Sequence, residues 1–206
     1  LIKNLATEKS VCQTRSFSCL YLSCVLIAEC ISGENVLFEE AARYLEKAPE
    51  YYEREIPVLR ELVEKNDIQK LICLGSGVQY GVCIEGAYIV IEVAEFASNY
   101  FQLFEFRHGP IVLTDKNTAI FLVSSKKSKE YEEKIVGEIR QYTDMVYGVS
   151  TGPMPGTTHT FQLEEDYSDE IAALHFVFCL QSISCRIAVK HGRNPDSPGD
   201  LVPFIQ

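Results

Sequence analysis

After residue 66 the chain alternates short apolar runs with longer segments of helical pattern. The apolar runs cover residues 70–74, 118–123, 144–149 and 159–163, and the helical segments cover residues 79–97, 128–141 and 169–191. A strand that is apolar throughout must be covered on both faces, and strands that alternate with helices are typical of a parallel sheet. We therefore predict an α/β fold, a three-layer sandwich built on a mainly parallel sheet.

Helices are predicted to precede this sheet. One long helix is expected over the first thirty residues, from about Glu8 to a stop signal at Gly33. Two amphipathic surface helices follow at Phe38–Lys47 and Tyr51–Lys65, with Pro49 as the break between them.

Composition and charge exclude several classes of protein. The chain has 206 residues, of which 47% are apolar and 23% charged, as in a globular protein with a sizeable core. The net charge is −10 and no basic run is longer than Lys126 and Lys127, so we expect no nucleic-acid partner. The longest apolar stretch, residues 19–31, is shorter than the roughly 20 residues that a membrane-spanning helix needs, so we expect no membrane partner.

The eight cysteines predict buried free thiols rather than disulfides or a metal centre. Most of them lie inside apolar runs, there is no CxxC, and no Cys/His spacing closes a tetrahedral zinc site. We expect a cytoplasmic protein without a metal or an organic cofactor. The chain begins with neither an initiator Met nor a signal-peptide pattern, and we expect a further segment upstream.

Two carboxylates within the apolar helix 79–97 are the first candidate site. Glu85 and Glu92 are seven residues apart, which places them on one face of a helix with about 3.6 residues per turn. The surrounding residues are apolar nearly all round, so the helix is expected to be buried. The pair then forms either a cleft wall with one carboxylate acting as a proton shuttle, or a structural pair satisfied by hydrogen bonds and salt bridges.

Two turns carry further candidates, and for each the residues leave two interpretations open. Residues 75–77, Gly-Ser-Gly, end the first strand at the position where α/β sheets bind anions or sugars, although a tight turn needs glycine in any case. His108 precedes Gly109 and Pro110 on a constrained turn. Its imidazole is either aimed at a ligand or held by a backbone carbonyl.

The order of these motifs resembles the sugar isomerase (SIS) family, whose members include the isomerase half of glucosamine-6-phosphate synthase and related deaminases, deglycases and ketose isomerases. The resemblance covers residues 68–200 and rests on the strings 74–80, 84–87 with Glu92, 105–110 (Glu-Phe-Arg-His-Gly-Pro, the most specific) and 194–198. It implies a flavodoxin-like sheet. Residues 8–17 resemble the segment that closes a first domain, so 1–66 would be the tail of that domain with connecting helices, and 67–206 the second domain.

The resemblance also implies residue roles. Glu92 matches the general base that moves a proton between C1 and C2 of an open-chain sugar phosphate, and Glu85 matches a second carboxylate of the same cleft. His108 matches a ring-opening histidine contributed by the neighbouring subunit, which implies a homodimer. Val11 and Gln13 match positions that touch the sugar hydroxyls.

Two departures from the family pattern affect the predicted activity. Where the synthase has lysines, this chain has Ile89 and Pro203, so an amine able to form a Schiff base is missing twice. A ketose–aldose isomerase, an amino-sugar-phosphate deaminase or a fructosamine-type deglycase is therefore favoured over a synthase. The alternative from another class is a non-catalytic phosphosugar sensor. The joint presence of Glu92 and His108 favours an enzyme, because a sensor needs neither a base nor a ring-opening imidazole.

Overall fold

The computed structural model describes Glu8, residues 10–199 and Leu201. Six α-helices, one 3₁₀-helix and five strands span these residues. In chain order they are α1 Arg15–Ser32, α2 Val36–Lys65, β1 Lys70–Gly75, α3 Gln79–Ala94, β2 Ser98–Gln102, α4 Leu103–Phe106, the 3₁₀-helix Pro110–Leu113, β3 Thr118–Val123, α5 Lys129–Ile139, β4 Val146–Ser150, β5 His159–Gln162 and α6 Asp169–Lys190.

The five strands form one parallel sheet in the order β2-β1-β3-β4-β5. Alternate residues of a strand point to opposite faces, and β1 shows this directly. Leu71 and Cys73 belong to the larger core cluster with α2, α3 and α6, whereas Ile72 and Leu74 belong to the smaller cluster with α4 and α5. Helices thus cover both faces, and the predicted three-layer α/β sandwich with a parallel, flavodoxin-like sheet preceded by helices is confirmed.

Strand β2, Ser98–Gln102, was not predicted. Its sequence, Ser-Asn-Tyr-Phe-Gln, lacks a continuous apolar run because it lies at the edge of the sheet, where full burial is not required. The predicted helix over 79–97 was accordingly too long at its C-terminal end, since α3 ends at Ala94 and Glu95 turns the chain with a positive φ of 45°.

Two predictions about the first helices were wrong. Helix α1 begins at Arg15 rather than near Glu8, because the Glu8 carboxylate accepts hydrogen bonds from the backbone N–H groups of Thr14, Arg15 and Ser16 and so caps the helix from outside it. Its predicted stop at Gly33 is confirmed, with a φ of 80°.

Pro49 does not break the chain into two helices. Helix α2 runs without interruption through Pro49 and Pro57. Each proline removes one intrahelical N–H, but the apolar face continues in register past Pro49, from Tyr44 to Tyr51 and Leu59. Packing of this face against α6 outweighs the local preference of proline.

Within the described part of the chain, two helices are long and apolar enough to cross a membrane by length and composition alone, Arg15–Ser32 and Asp169–Lys190. The second is 72% buried over its most apolar window and is the central core helix of the domain, whereas the first is only 6% buried. This is weak evidence for a membrane span, because core helices pass the same test.

Helices α3 and α6 approach most closely at Gly86. A Cβ atom added there would overlap Leu180 Cδ1, and Leu180 is itself fully buried. Gly86→Ala is therefore expected to lower the free energy of unfolding by about 1–3 kcal/mol, because the core must shift to admit the methyl group.

The matched control for this prediction is Gly81→Ala on the same helix, where an added Cβ meets nothing within 4 Å. It is expected to stabilise the protein by about 0.5–1 kcal/mol through helix propensity. Urea denaturation of both variants measures the difference in their free energies of unfolding. Equal unfolding midpoints would show that α3 and α6 can move apart at Gly86 without loss of stability.

Candidate functional site

The candidate site lies on the partly open face of α3. The expectation that this helix is buried all round was wrong, because Tyr88 is 48% and Ile91 is 41% exposed. Glu85 and Glu92 are half-buried on the same helix. Because both carboxylates are only half-buried, their charges need not be fully balanced by protein partners, and solvent or a ligand can reach them.

Both carboxylates have pKa values above their usual range. Burial raises the pKa of Glu92. Burial also raises the pKa of Glu85, and the nearby charge of Glu92 raises it further. The two side chains therefore interact, as their spacing of two helical turns predicts. A carboxylate with a raised pKa is a stronger base than an exposed one and suits proton abstraction near neutral pH.

The loop before α1 packs into the larger core cluster through Cys12. Cys12 is buried in it, and burial, together with the charges of Glu92, Cys185 and Glu8, raises the pKa of its thiol to about 11. The loop is also tied to α6, because the Gln181 amide donates hydrogen bonds to the carbonyl oxygen of Thr14, at 2.9 Å, and to Ser18 Oγ, at 3.2 Å. Thr14 and Ser18 are thus held against α6.

Val11 and Gln13 flank Cys12 in the chain. Val11 is half-buried and Gln13 is exposed. Cys12 was not singled out by the sequence, although its position between two predicted sugar-contacting residues was the available signal. Because the Cys12 thiol is buried and its pKa is raised, it anchors the loop rather than acting as a nucleophile.

Glu92 lines a surface groove of about 560 Å³ that also includes Ile91, Glu95, Phe96 and Asn99. Arg193 neutralises the second carboxylate of this groove, since its Nε lies 3.2 Å from Glu95 Oε2. Glu92 has no such cationic partner in an ion pair among the described residues. The groove therefore presents one carboxylate that is available for chemistry.

His108 lies on the other side of the sheet. It follows α4, whose Leu103 and Phe106 pack into the smaller core cluster, whereas α3 packs into the larger one. The side chain is exposed on a turn that Gly109, with a φ of 149°, and Pro110 keep tight. One copy of the chain therefore does not bring His108 and Glu92 together.

The Gly-Ser-Gly turn lies at the carboxyl edge of the sheet, in a separate cleft of about 580 Å³. Gly75 is required by packing, since a Cβ there would lie 2.7 Å from Cys83 Sγ. Acidic groups at Glu40, Asp169 and Glu170 face the two lysines of this cleft. These features favour the structural interpretation of the turn over an anion site.

The thiol prediction holds in part. All eight cysteines are free. Cys12, Cys73, Cys83 and Cys179 are buried, but Cys24 and Cys30 are exposed on α1. The exposed pair lies on a helix of which only Glu29 is fully buried, so their apolar surroundings in sequence did not imply burial.

Comparison with known proteins identifies relatives of this chain. No family model matches the chain. The glutamine–fructose-6-phosphate aminotransferase (isomerizing) of Encephalitozoon cuniculi is 25% identical over 98% of this chain and 31% of its own length. The enzyme of the same name from Thermotoga maritima is 28% identical over 100% of this chain and 36% of its own length. The chain thus spans about a third of the length of the curated relatives that it matches.

Solved structures agree in fold. The glucosamine-6-phosphate deaminase of Thermotoga maritima has a TM-score of 0.77 and 25% identity, over 97% of this chain and 59% of its own. The tagatose-6-phosphate ketose/aldose isomerase of Escherichia coli has a TM-score of 0.75 and 20% identity, over 95% and 55%. The resemblance to the SIS family is confirmed.

These relatives support a resemblance to a family of enzymes that act on sugar phosphates, but they do not distinguish between the activities within that family. The curated relatives named above are aminotransferases, whereas the structural neighbours are a deaminase and an isomerase. The expected ranking of a synthase below the other activities therefore stays a prediction. Ile89, one of the two departures from the synthase, is 2% exposed and packs in the core, and Pro203 lies outside the described residues.

Proposed function

We propose that this chain is the catalytic-carboxylate domain of an SIS enzyme that acts on a sugar or amino-sugar 6-phosphate. The reaction is proton transfer between C1 and C2, as an isomerase, deaminase or deglycase performs it. The observation that carries the proposal is Glu92, a half-buried carboxylate with a raised pKa that lines an open groove.

In this mechanism Glu92 takes the proton from the carbon next to the carbonyl or imine of the open-chain sugar. The electrons of the broken C–H bond form the C1=C2 double bond, and the carbonyl oxygen or imine nitrogen accepts a proton. Glu92 then returns the proton to the other carbon. The hydroxyl on the carbon that was first deprotonated loses its O–H proton and becomes the new carbonyl, which balances the proton gained by the original carbonyl oxygen or imine nitrogen. Glu85 lies two helical turns from Glu92 on the same helix, and the charges of the two carboxylates favour protonation of the pair once a proton has been taken.

Sugar hydroxyls would be held by Val11 and Gln13. Gln13 is exposed, and its Oε1 lies 3.3 Å from Ser16 Oγ, so it can turn to a ligand at small cost. No phosphate cradle is assigned to this domain. We therefore expect the 206-residue chain alone to bind sugar phosphates weakly and not to turn them over.

The test is solvent deuterium exchange at C2 across a panel of hexose and hexosamine 6-phosphates, followed by NMR. It is run on the chain alone and on the chain joined to a preceding SIS domain. Exchange in the joined form supports the proposal, and the sugar that exchanges fastest identifies the substrate class. Binding by thermal shift without any exchange would instead favour the phosphosugar sensor.

His108 is proposed to act in the site of a neighbouring subunit. In one copy the sheet separates it from Glu92, so only a second copy can supply it to the groove. Mixing inactive Glu92→Gln with inactive His108→Ala is expected to restore about half of the wild-type rate per mixed dimer, because one of its two sites then has both residues intact. The measurement is exchange rate against mixing ratio. A mixture as inactive as its components would place both residues in one subunit or remove His108 from the reaction.

A further inference from the structure

A second cluster of reactive side chains lies deep between α2 and α6, away from the groove of Glu92. His175, Cys179 and Glu55 are 0%, 0% and 1% exposed. His175 and Cys179 are four residues apart and so share a face of α6, and Glu55 faces them from α2. The imidazole nitrogen, the thiol sulfur and a carboxylate oxygen all lie within 4.8 Å of one another.

The three ligand atoms lie close enough together to converge on one ion after small side-chain adjustments. His175 Nε2 lies 2.8 Å from Glu55 Oε2, and Cys179 Sγ lies 3.9 Å from the same oxygen. Two ligand atoms that each lie about 2.0–2.3 Å from a common zinc ion are roughly 3–4 Å apart. A histidine and a cysteine four residues apart on a helix, with a carboxylate opposite, therefore converge on one point.

One tautomer of the imidazole suits coordination. Nε2 of His175 is buried and forms no hydrogen bond with good geometry among the described residues, although Glu55 Oε2 lies 2.8 Å from it. The other ring nitrogen, Nδ1, lies 2.9 Å from the Tyr44 hydroxyl. When Nδ1 carries the proton and donates it to that hydroxyl, the lone pair is on Nε2, the arrangement seen when a histidine binds a metal through Nε2.

The surroundings hold this orientation. The imidazole packs between the rings of Tyr44, Tyr51, Tyr52 and Phe178. Arg54 takes only the other oxygen of Glu55, with its Nη2 3.3 Å from Oε1. Oε2 is therefore directed to His175 and Cys179.

We propose that His175, Cys179 and Glu55 bind a divalent ion of the zinc class, which clamps α2 to α6. Zinc takes nitrogen, thiolate sulfur and carboxylate oxygen together, and one thiolate with one carboxylate balances its charge in a buried site. A water molecule or the second carboxylate oxygen would complete four-coordination. Because the site is closed to solvent, the ion has a structural role and does not contact the sugar.

The proposal does not rest on the proposed enzymatic activity, and its test uses no sugar. The full chain, with the exposed Cys24 and Cys30 changed to serine, is stripped of metal by a chelator during partial unfolding and then refolded. Cobalt(II) is added as the probe, and a thiolate-to-cobalt charge-transfer band is followed in the near ultraviolet. We expect one equivalent of cobalt to produce the band, and zinc to displace cobalt and raise the melting temperature by several degrees.

Three variants decide the outcome. Cys179→Ser is expected to lose the band and to bind zinc at least about tenfold more weakly. Glu55→Gln keeps the thiolate, so it retains the band but shows a similar loss of affinity. Cys73→Ala removes a buried thiol from β1, outside the cluster, and is expected to behave like the parent. A parent protein without a charge-transfer band, or a band that survives in Cys179→Ser, would overturn the proposal.

Discussion

In the chain joined to a preceding SIS domain, replacement of Glu92 by glutamine is expected to slow deuterium exchange at C2 of the sugar phosphate by about 10²–10⁴-fold, the contribution of a positioned general base. The amide has nearly the shape of the carboxylate but cannot accept a proton from carbon. Glu92 is half-buried and takes part in no ion pair among the described side chains, so the change removes a base without opening a cavity. Sugar-phosphate binding, read from thermal shift, should persist in this variant.

The matched control is Glu95→Gln, which lies in the same groove three residues further along the chain. Glu95 already pairs with Arg193, so it is no candidate base, and its variant should keep the rate within a few-fold. In the parent protein the exchange rate should fall as pH decreases through the raised pKa of Glu92, because protonation removes the base. An unchanged rate in Glu92→Gln would transfer the proton step to Glu85 or to another residue.

The central sheet was predictable because hydrophobic pattern is a strong signal where burial is complete. Strands β1, β3 and β4 are buried at nearly every position, and each appeared in the sequence as an apolar run. Signals weakened where one side of an element meets solvent. The edge strand β2 was missed for that reason, and the continuity of α2 through Pro49 depends on packing against a helix more than a hundred residues away.

The site was predictable in part. Spacing placed Glu85 and Glu92 on one face of α3, and their interaction follows from that spacing. Their partial exposure did not follow, because the covering of α3 depends on which elements pack on it. The cluster of Glu55 with His175 and Cys179 gave only a weak signal, since a His and a Cys four residues apart are common on core helices and the third residue lies about 120 positions earlier.

Replacement of Glu55 by alanine is expected to lower the free energy of unfolding by about 3 kcal/mol, measured by urea denaturation in the presence of a chelator. The carboxylate is 1% exposed and is shared by Arg54 and His175. Its removal leaves a cavity and withdraws the partner of a buried imidazole and of a guanidinium. The expected value is at the lower end of the cost of breaking a buried charge pair, because the Arg54 side chain is 45% exposed and can turn to water.

Glu53→Ala is the control on the same helix, since Glu53 is exposed and its loss should change stability by less than about 0.5 kcal/mol. Because the chelator removes any ion, the difference between the two variants measures only what the carboxylate does for the protein. Addition of zinc should then widen that difference, since the parent gains stability from the ion and Glu55→Ala does not. If Glu55→Ala proved as stable as the parent in the chelator, the cost of burying the carboxylate would equal its attraction to Arg54 and His175. The presence of a buried acid at this position would then have to be attributed to the ion.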